Sequence, residues 1–249
     1  ILSAIDFEKN AAATQKAIDS GIKVITVDSD VDVNGKELFI GTNNIEAGKK
    51  AAKQVVDLCK EQKSINIGIV NYGANTENGK ERLKGFSDYI DEIDNAKIVD
   101  TVNIESNKES ATAGAEKLLK NHKQINVLIG FNEWSTLGVG MAIKELGLKD
   151  SVCAIGFDNN TECVGMLETG ELDTLIVQNP FSMGYLAVMN AANEVAVGAF
   201  LNREIGFLDI ARVVDKVVET SDLPSVATIR DVVAVDAAAR EAAARCLKG

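Results

Sequence analysis

The stretch Gly21-Ile-Lys-Val-Ile-Thr-Val-Asp28 runs from a glycine through a short β-branched segment to an acidic residue, and its strand-like run recurs along the chain. Such short apolar runs have the length and composition of β-strands. They lie at residues 1–5, 24–27, 38–40, 65–70, 98–102, 127–129, 153–157 and 175–177. The chain therefore carries a series of short predicted strands.

Amphipathic segments separate most of these runs, at residues 8–20, 45–61, 78–93, 110–120 and 136–146. Ala51, Val55 and Val56, for example, recur at helical spacing. Strands that alternate with helices predict an α/β fold with a mostly parallel sheet and helices on both faces. Gly21 and Gly147 come after two of the predicted helices, where a left-handed conformation is favoured.

The charge and composition narrow the possible partners. The chain has 249 residues, 46% of them apolar, and a net charge of −11. Nucleic acids and anionic membranes are themselves polyanionic and would repel this surface. No apolar run is long enough for membrane insertion. We therefore expect a small molecule or another protein as the partner.

Few residues in the chain support catalysis or a cofactor. Cys59, Cys153, Cys163 and Cys246 form no CxxC pair, so we expect no metal site, and we interpret them as buried apolar thiols rather than a disulfide framework. His122 is the single histidine, and no nucleophile–base set is evident.

Polar side chains come directly after nearly every predicted strand. These are Asp6, Asp28, Asn43, Asn44, Asn71, Asn132, Glu133, Asp158 and Gln178. Ligands of parallel sheets bind outside the carboxyl ends of the strands. Carboxylates and amides suit sugar hydroxyls, which both donate and accept hydrogen bonds. Any one of these residues could equally be a helix cap or a loop residue, but the whole set favours a shared polar cleft.

Several segments, in order, resemble periplasmic sugar-binding proteins of the ribose type, whose core also occurs in related repressors. They are Gly21–Asp28, Phe39-Ile-Gly-Thr-Asn-Asn44, Glu81-Arg82 with Gly85-Phe86, Gly130-Phe-Asn132, Gly156-Phe-Asp158, Leu167-Glu-Thr-Gly170 and Val177-Gln178-Asn-Pro180 with Met183-Gly184-Tyr185. The resemblance implies a two-lobed fold of the periplasmic-binding-protein type I. The family's first strand would lie upstream of Ile1, so we expect an incomplete N-terminal lobe whose open edges make self-association possible.

The same resemblance implies the ligand-binding residues. Asp28, Arg82, Asn132, Asp158 and Gln178 occupy the family's sugar-contact positions, and Ser3 matches a further one. The Arg82 guanidinium would offer a rigid, planar set of hydrogen-bond donors to the sugar oxygens. The alternative is that Arg82 lies on a solvated face of a helix and contacts no ligand. Trp134 would stack on a sugar face or, alternatively, pack in the core.

The composition changes near residue 189. Lysine predominates before it, with Arg82 the single arginine, whereas arginine predominates after it. The segment Asn190-Ala-Ala-Asn-Glu194-Val-Ala-Val197 and the remainder of the chain resemble the C-terminal region of 1-deoxy-D-xylulose 5-phosphate reductoisomerase. We interpret the chain as a chimera of residues 1–43 (partial N-terminal lobe), 44–188 (C-terminal lobe) and 189–249 (helical tail).

The tail is expected to pack as helices without enzyme activity, because that family's nucleotide, metal and phosphate motifs lie upstream of the matched region. Val213, Val214 and Val217 predict one apolar helix face, and Asp222-Leu-Pro224-Ser225 predicts a helix break.

The sequence thus predicts a non-catalytic module without a cofactor that binds a monosaccharide or similar polyol. The resemblance implies a periplasmic or extracellular location for the binding part, a sugar-transporter permease as partner, and a cytoplasmic origin for the tail. The alternatives are a reductoisomerase fragment and the sensor core of a repressor.

Overall fold

A computed structural model describes residues 1–72, 75–220 and 229–248. The chain forms two compact units: the first comprises Ile1–Gly41 with Asn179–Gly249, and the second comprises Thr42–Gln178. In chain order the elements are α1 (Ala11–Asp19), β1 (Ile25–Val27), β2 (Leu38–Ile40), α2 (Asn44–Leu58), β3 (Ile65–Tyr72), α3 (Glu77–Ile90), β4 (Ala96–Ile104), α4 (Lys108–Asn121), β5 (Val127–Gly130), α5 (Glu133–Leu146), β6 (Cys153–Phe157), α6 (Thr161–Thr169), β7 (Thr174–Ile176), α7 (Pro180–Leu201), α8 (Phe207–Thr220) and α9 (Ile229–Lys248). The predicted division at residues 43 and 188 stays a prediction.

The second unit is built on a parallel sheet with strand order β4-β3-β5-β6-β7. Every residue of β3 is buried, as expected for an inner strand of a sheet covered on both faces. Phe131 lies edge-on to Phe86 and Phe157, with ring centroids 5.5 and 5.9 Å apart. The predicted parallel α/β architecture is confirmed.

Helices α2 and α3 pack closely because glycines lie where they meet. A Cβ atom at Gly85 would lie 2.0 Å from the backbone oxygen of Ile45, and one at Gly48 would lie 2.2 Å from the backbone oxygen of Arg82. Neither contact can be relieved by rotating a side chain, so this packing fixes how α3 presents Arg82.

We expect Gly85→Ala to lower the free energy of unfolding by about 3 kcal/mol, because the added methyl group forces two backbones apart. Urea denaturation measures this. Gly165→Ala in α6 is the matched control: no atom lies within 4 Å of its would-be Cβ, so alanine's helix propensity should leave stability unchanged or slightly higher. Equal stability of both variants would contradict the close helix packing.

The first unit contains a small parallel sheet. Strands β1 and β2 pair in parallel, and Leu2 forms an isolated bridge with Thr26. The predicted strand at residues 1–5 is therefore reduced to one bridging residue. The chain turns away because the Asp6 carboxylate accepts hydrogen bonds from the backbone N–H groups of Glu8 and Lys9, and Ile5 is left 83% exposed.

The tail packs as helices, as predicted. A cluster of small apolar side chains joins α7, α8 and α9: Val188, Ala191, Ala192, Ala196, Val213, Val217, Ala239 and Ala243. The Arg240 guanidinium contacts Glu194 and Asp236, each at 3.1 Å, which ties α9 to α7. The predicted break at Asp222-Leu-Pro224-Ser225 lies outside the described residues. Within the described ranges, no helix has the length and apolar character needed to cross a membrane.

Candidate functional site

Polar side chains converge at the carboxyl edge of the second unit's sheet, where β5, β6 and β7 end. Asn132 lies just after β5 and caps α5, since its Oδ1 accepts from the backbone N–H of Ser135 at 2.9 Å. The Ser135 hydroxyl in turn accepts from the Asn132 backbone N–H at 2.8 Å. This reciprocal cap fixes the Asn132 side chain and directs its oxygen into the helix. Its Nδ2 has no hydrogen-bond partner among the described residues.

Arg82 reaches this edge from α3 and is 1% exposed. Its Nε donates to Asn44 Oδ1 at 2.8 Å, and its Nη1 donates to the Phe131 carbonyl at 2.6 Å. The guanidinium carbon lies 4.6 Å from the centroid of the Phe157 ring. A solvated helix face is thereby excluded for Arg82.

The Arg82 charge is held by neutral groups. In the part of the chain that the structure describes, Arg82 has no carboxylate within ion-pair distance. A buried cation is costly unless hydrogen bonds and aromatic contacts offset its loss of solvation. A buried guanidinium without a carboxylate partner is suited to donate hydrogen bonds to the oxygens of a polar ligand.

Asp158 lies just after β6 in a left-handed conformation, with φ of 69°. Its backbone N–H donates to Ile176 at the end of β7, at 3.0 Å. Its Oδ1 accepts from Gln178 Nε2 at 2.6 Å, while Gln178 Oε1 accepts from the Thr42 hydroxyl at 2.8 Å. Both groups of the Gln178 amide are thus oriented, and the amide holds the Asp158 carboxylate in place.

Other negatively charged side chains lie near Asp158. Burial, followed by the charges of Glu133, Asp158 and Glu162, raises the pKa of the Cys163 thiol to about 12. Glu133 Oε1 also accepts from Asn160 Nδ2 at 2.7 Å, which joins the starts of α5 and α6. Carboxylate charge and the buried Arg82 cation therefore lie at the same edge of the sheet, an arrangement suited to an uncharged ligand rich in hydroxyl groups.

Trp134 lies in the first turn of α5, two residues after Asn132, and is 38% exposed. The core-packing alternative therefore does not hold for it. Its position places an aromatic side chain near the polar edge.

Asp28 and Ser3 belong to the first unit. Asp28 lies just after β1 with φ of 64°, and its backbone N–H donates to Ile40 at the end of β2, at 2.9 Å. Asp158 repeats this arrangement after β6. Ser3 is partly buried and comes directly after the bridging Leu2. The structure thus brings Arg82, Asp158 and Gln178 to one edge with Asn132.

Sequence reasoning missed the groups that hold Arg82 and Gln178. Phe131 and Phe157 directly precede the polar strand-end residues Asn132 and Asp158, a repeat of Phe before Asn or Asp that could have marked them. Asn44 was among the strand-end residues, but its contact with Arg82 was not foreseen. Its Nδ2 is buried without a hydrogen-bond partner among the described residues.

In the part of the chain that the structure describes, no group of three acidic, histidine or cysteine side chains is placed to hold a metal ion.

Comparison with known proteins separates the chain into two regions. Residues 1–199 match the family model described as periplasmic binding protein domain, and residues 181–242 match the DXP reductoisomerase C-terminal domain. The two matches overlap on α7. They confirm both resemblances and the chimeric character of the chain.

Individual relatives support the match to the periplasmic binding protein domain. The ribose import binding protein of Bacillus subtilis is 24% identical over 82% of this chain and 65% of its own length. The chain therefore spans less than two thirds of that protein. The crystal structure of the periplasmic component of an ABC-type sugar transport system from Hahella chejuensis superposes with a TM-score of 0.71 and 29% identity, covering 74% of this chain and 67% of that one. This match confirms the predicted fold class.

The tail matches an enzyme over a short region. The 1-deoxy-D-xylulose 5-phosphate reductoisomerase of Paraburkholderia xenovorans is 57% identical over 58 residues, which is 23% of this chain and 14% of the enzyme. The relatives that cover the larger part of the chain are sugar-binding transport proteins, and the reductoisomerase part is a minor fragment.

Proposed function

Because the chain belongs to the periplasmic binding protein domain family, we propose that it binds a monosaccharide or similar polyol and performs no catalysis. Arg82, Asn132, Asp158 and Gln178 are the proposed contacts, with Trp134 as a stacking surface. Asp28 and Ser3 of the first unit stay predicted contacts. We further propose a periplasmic or extracellular location and delivery of the sugar to the permease of an ABC-type transporter.

The observation that carries this proposal is a buried Arg82 guanidinium at the same sheet edge as an oriented carboxylate–amide pair. Arg82 is held by neutral oxygens and an aromatic ring, and Asp158 is held by Gln178 at 2.6 Å. Together they would present donors and acceptors to adjacent hydroxyl groups, as a sugar requires. An anionic ligand would meet the charges of Asp158, Glu133 and Glu162.

Trp134 gives a direct test, because it is the single tryptophan of the chain. We expect at least one of D-ribose, D-xylose, D-allose, L-arabinose and D-galactose to change its fluorescence emission and to raise the melting temperature of the protein. D-ribose 5-phosphate is the matched control and should do neither, since its phosphate would be repelled. Absence of any response to all five sugars at millimolar concentration would contradict the proposed function.

A further inference from the structure

The Asn44 side chain contacts Arg82 and is not one of the proposed sugar contacts. Asn44 is the first residue of α2, directly after the cap residue Asn43, and it is 1% exposed. Its Oδ1 accepts from Arg82 Nε at 2.8 Å. Because a guanidinium only donates hydrogen bonds, this contact fixes which end of the amide faces Arg82. The amide nitrogen of Asn44 therefore has to find a partner elsewhere.

That amide nitrogen is left without a partner. Within the residues that the structure describes, Asn44 Nδ2 is the one enclosed side-chain polar atom that makes no hydrogen bond. A buried donor without an acceptor is unfavourable, because it has lost its hydrogen bonds to water. An aspartate at this position would have the same shape, with an oxygen in place of the nitrogen. The amide is therefore not the choice that folding alone favours.

Two further features favour a carboxylate at position 44. Arg82 forms no ion pair among the described residues, so a carboxylate would supply the missing opposite charge to a cation that is already buried. Position 44 also lies at the start of α2, where the helix dipole favours negative charge. A carboxylate can accept from two guanidinium nitrogens at once. An aspartate should therefore hold Arg82 more strongly than the native amide does.

The close packing of α2 on α3 keeps these two side chains at a fixed separation. A Cβ atom at Gly85 would lie 2.0 Å from the backbone oxygen of Ile45, the residue after Asn44. A Cβ atom at Gly48 would lie 2.2 Å from the backbone oxygen of Arg82 itself. The two backbones are thus in direct contact on both sides of the pair. A change of charge at position 44 should act on Arg82 without a shift of either helix.

The neutral amide leaves part of the Arg82 guanidinium available. Nε donates to Asn44 and Nη1 donates to the Phe131 carbonyl at 2.6 Å. The third nitrogen, Nη2, donates to no described residue and, unlike Asn44 Nδ2, is not fully enclosed. A carboxylate at position 44 would neutralise the charge and compete for this nitrogen, whereas the amide does neither.

We propose that Asn44 is a positioning residue of the sugar site. Its oxygen orients the Arg82 guanidinium, and its lack of charge keeps the cation and the Nη2 donor for oxygens of the ligand. The unpaired amide nitrogen is the cost of this arrangement in folding stability. The inference rests on the proposed function, because it assigns Asn44 a role in sugar affinity that is exerted through Arg82.

Asn44→Asp tests the proposal, because it should change stability and affinity in opposite directions. We expect a melting temperature several degrees above that of the native chain in the absence of sugar. We also expect an affinity at least about tenfold lower for the sugar that gives the strongest response. A merely structural residue would change both quantities in the same direction. Circular dichroism during heating and isothermal titration measure the two effects.

A second variant and a control complete the test. Asn44→Leu offers Arg82 neither an acceptor nor a charge, so it should lower both stability and affinity. Asn107→Asp is the control: Asn107 caps α4, where its Oδ1 accepts from the Ser110 backbone N–H at 2.8 Å. Aspartate can make the same cap and adds the same charge, so the native affinity should be kept.

The proposal is overturned if Asn44→Asp binds the sugar as tightly as the native chain does. It is also overturned if this variant fails to fold or melts no higher than the native chain. If the native chain itself bound none of the five sugars, the proposed function would fail and the role of Asn44 would fail with it. The native titration therefore separates the two kinds of failure.

Discussion

Arg82→Met is expected to lower the free energy of unfolding by about 3 kcal/mol and to reduce sugar affinity more than a hundredfold. Methionine fills much of the space but donates no hydrogen bond, so Asn44 Oδ1 and the Phe131 carbonyl lose their buried donor. Each buried acceptor left without a donor costs about 1–3 kcal/mol. Removal of the desolvated charge offsets part of that loss. Urea denaturation and tryptophan fluorescence titration measure the two effects.

Two further variants sharpen this prediction. Arg82→Lys keeps the charge but cannot span both acceptors with a planar fork, so we expect an intermediate loss of stability and a large loss of affinity. Lys84→Met, two residues further along α3, removes an exposed cation that pairs with Asp88, and it should change stability by less than about 0.5 kcal/mol. If Arg82→Met were as stable as Lys84→Met, the buried contacts of Arg82 would have no energetic role.

Asp158→Asn is expected to weaken sugar binding about thirtyfold while leaving the fold intact. The amide keeps the shape of the side chain, and its oxygen can still accept from Gln178 Nε2. Asparagine also tolerates the left-handed conformation at φ of 69°. The substitution removes the charge that strengthens hydrogen bonds from sugar hydroxyls, worth about 2 kcal/mol, and each 1.4 kcal/mol corresponds to about a tenfold change in affinity.

Isothermal titration with the sugar that gives the strongest response measures the effect of Asp158→Asn. Asp88→Asn on the exposed surface of α3 is the control and should bind as the native chain does. Native affinity in Asp158→Asn would remove this carboxylate from the proposed contacts.

The sequence predicted most of the second unit because its strands are short apolar runs with clear ends. The limits of β2 and β6 agree with the structure to the residue. The prediction at residues 1–5 overstated a strand, because a run of apolar residues does not reveal that Asp6 will turn the chain. Registers and pairing partners likewise depend on tertiary packing.

For the candidate site, residue type indicated which side chains matter but not how they are held. The planar donors of Arg82 and the polar atoms of Gln178 were evident from the sequence. The Phe157 ring beneath Arg82 and the Thr42 hydroxyl beside Gln178 were not. Those contacts join segments far apart in the chain, and no local pattern specifies them.

Helix α7 is the place where the two family matches overlap, and it continues unbroken through the overlap. Each residue of an α-helix turns the next by about 100°. Inserting or deleting one residue before Val188 would therefore leave Val188, Ala191 and Ala196 packed on α8 and α9, but it would turn this whole group about 100° relative to the start of α7. For a fusion made inside a helix, the spacing between the two ancestral pieces therefore decides which way the tail faces.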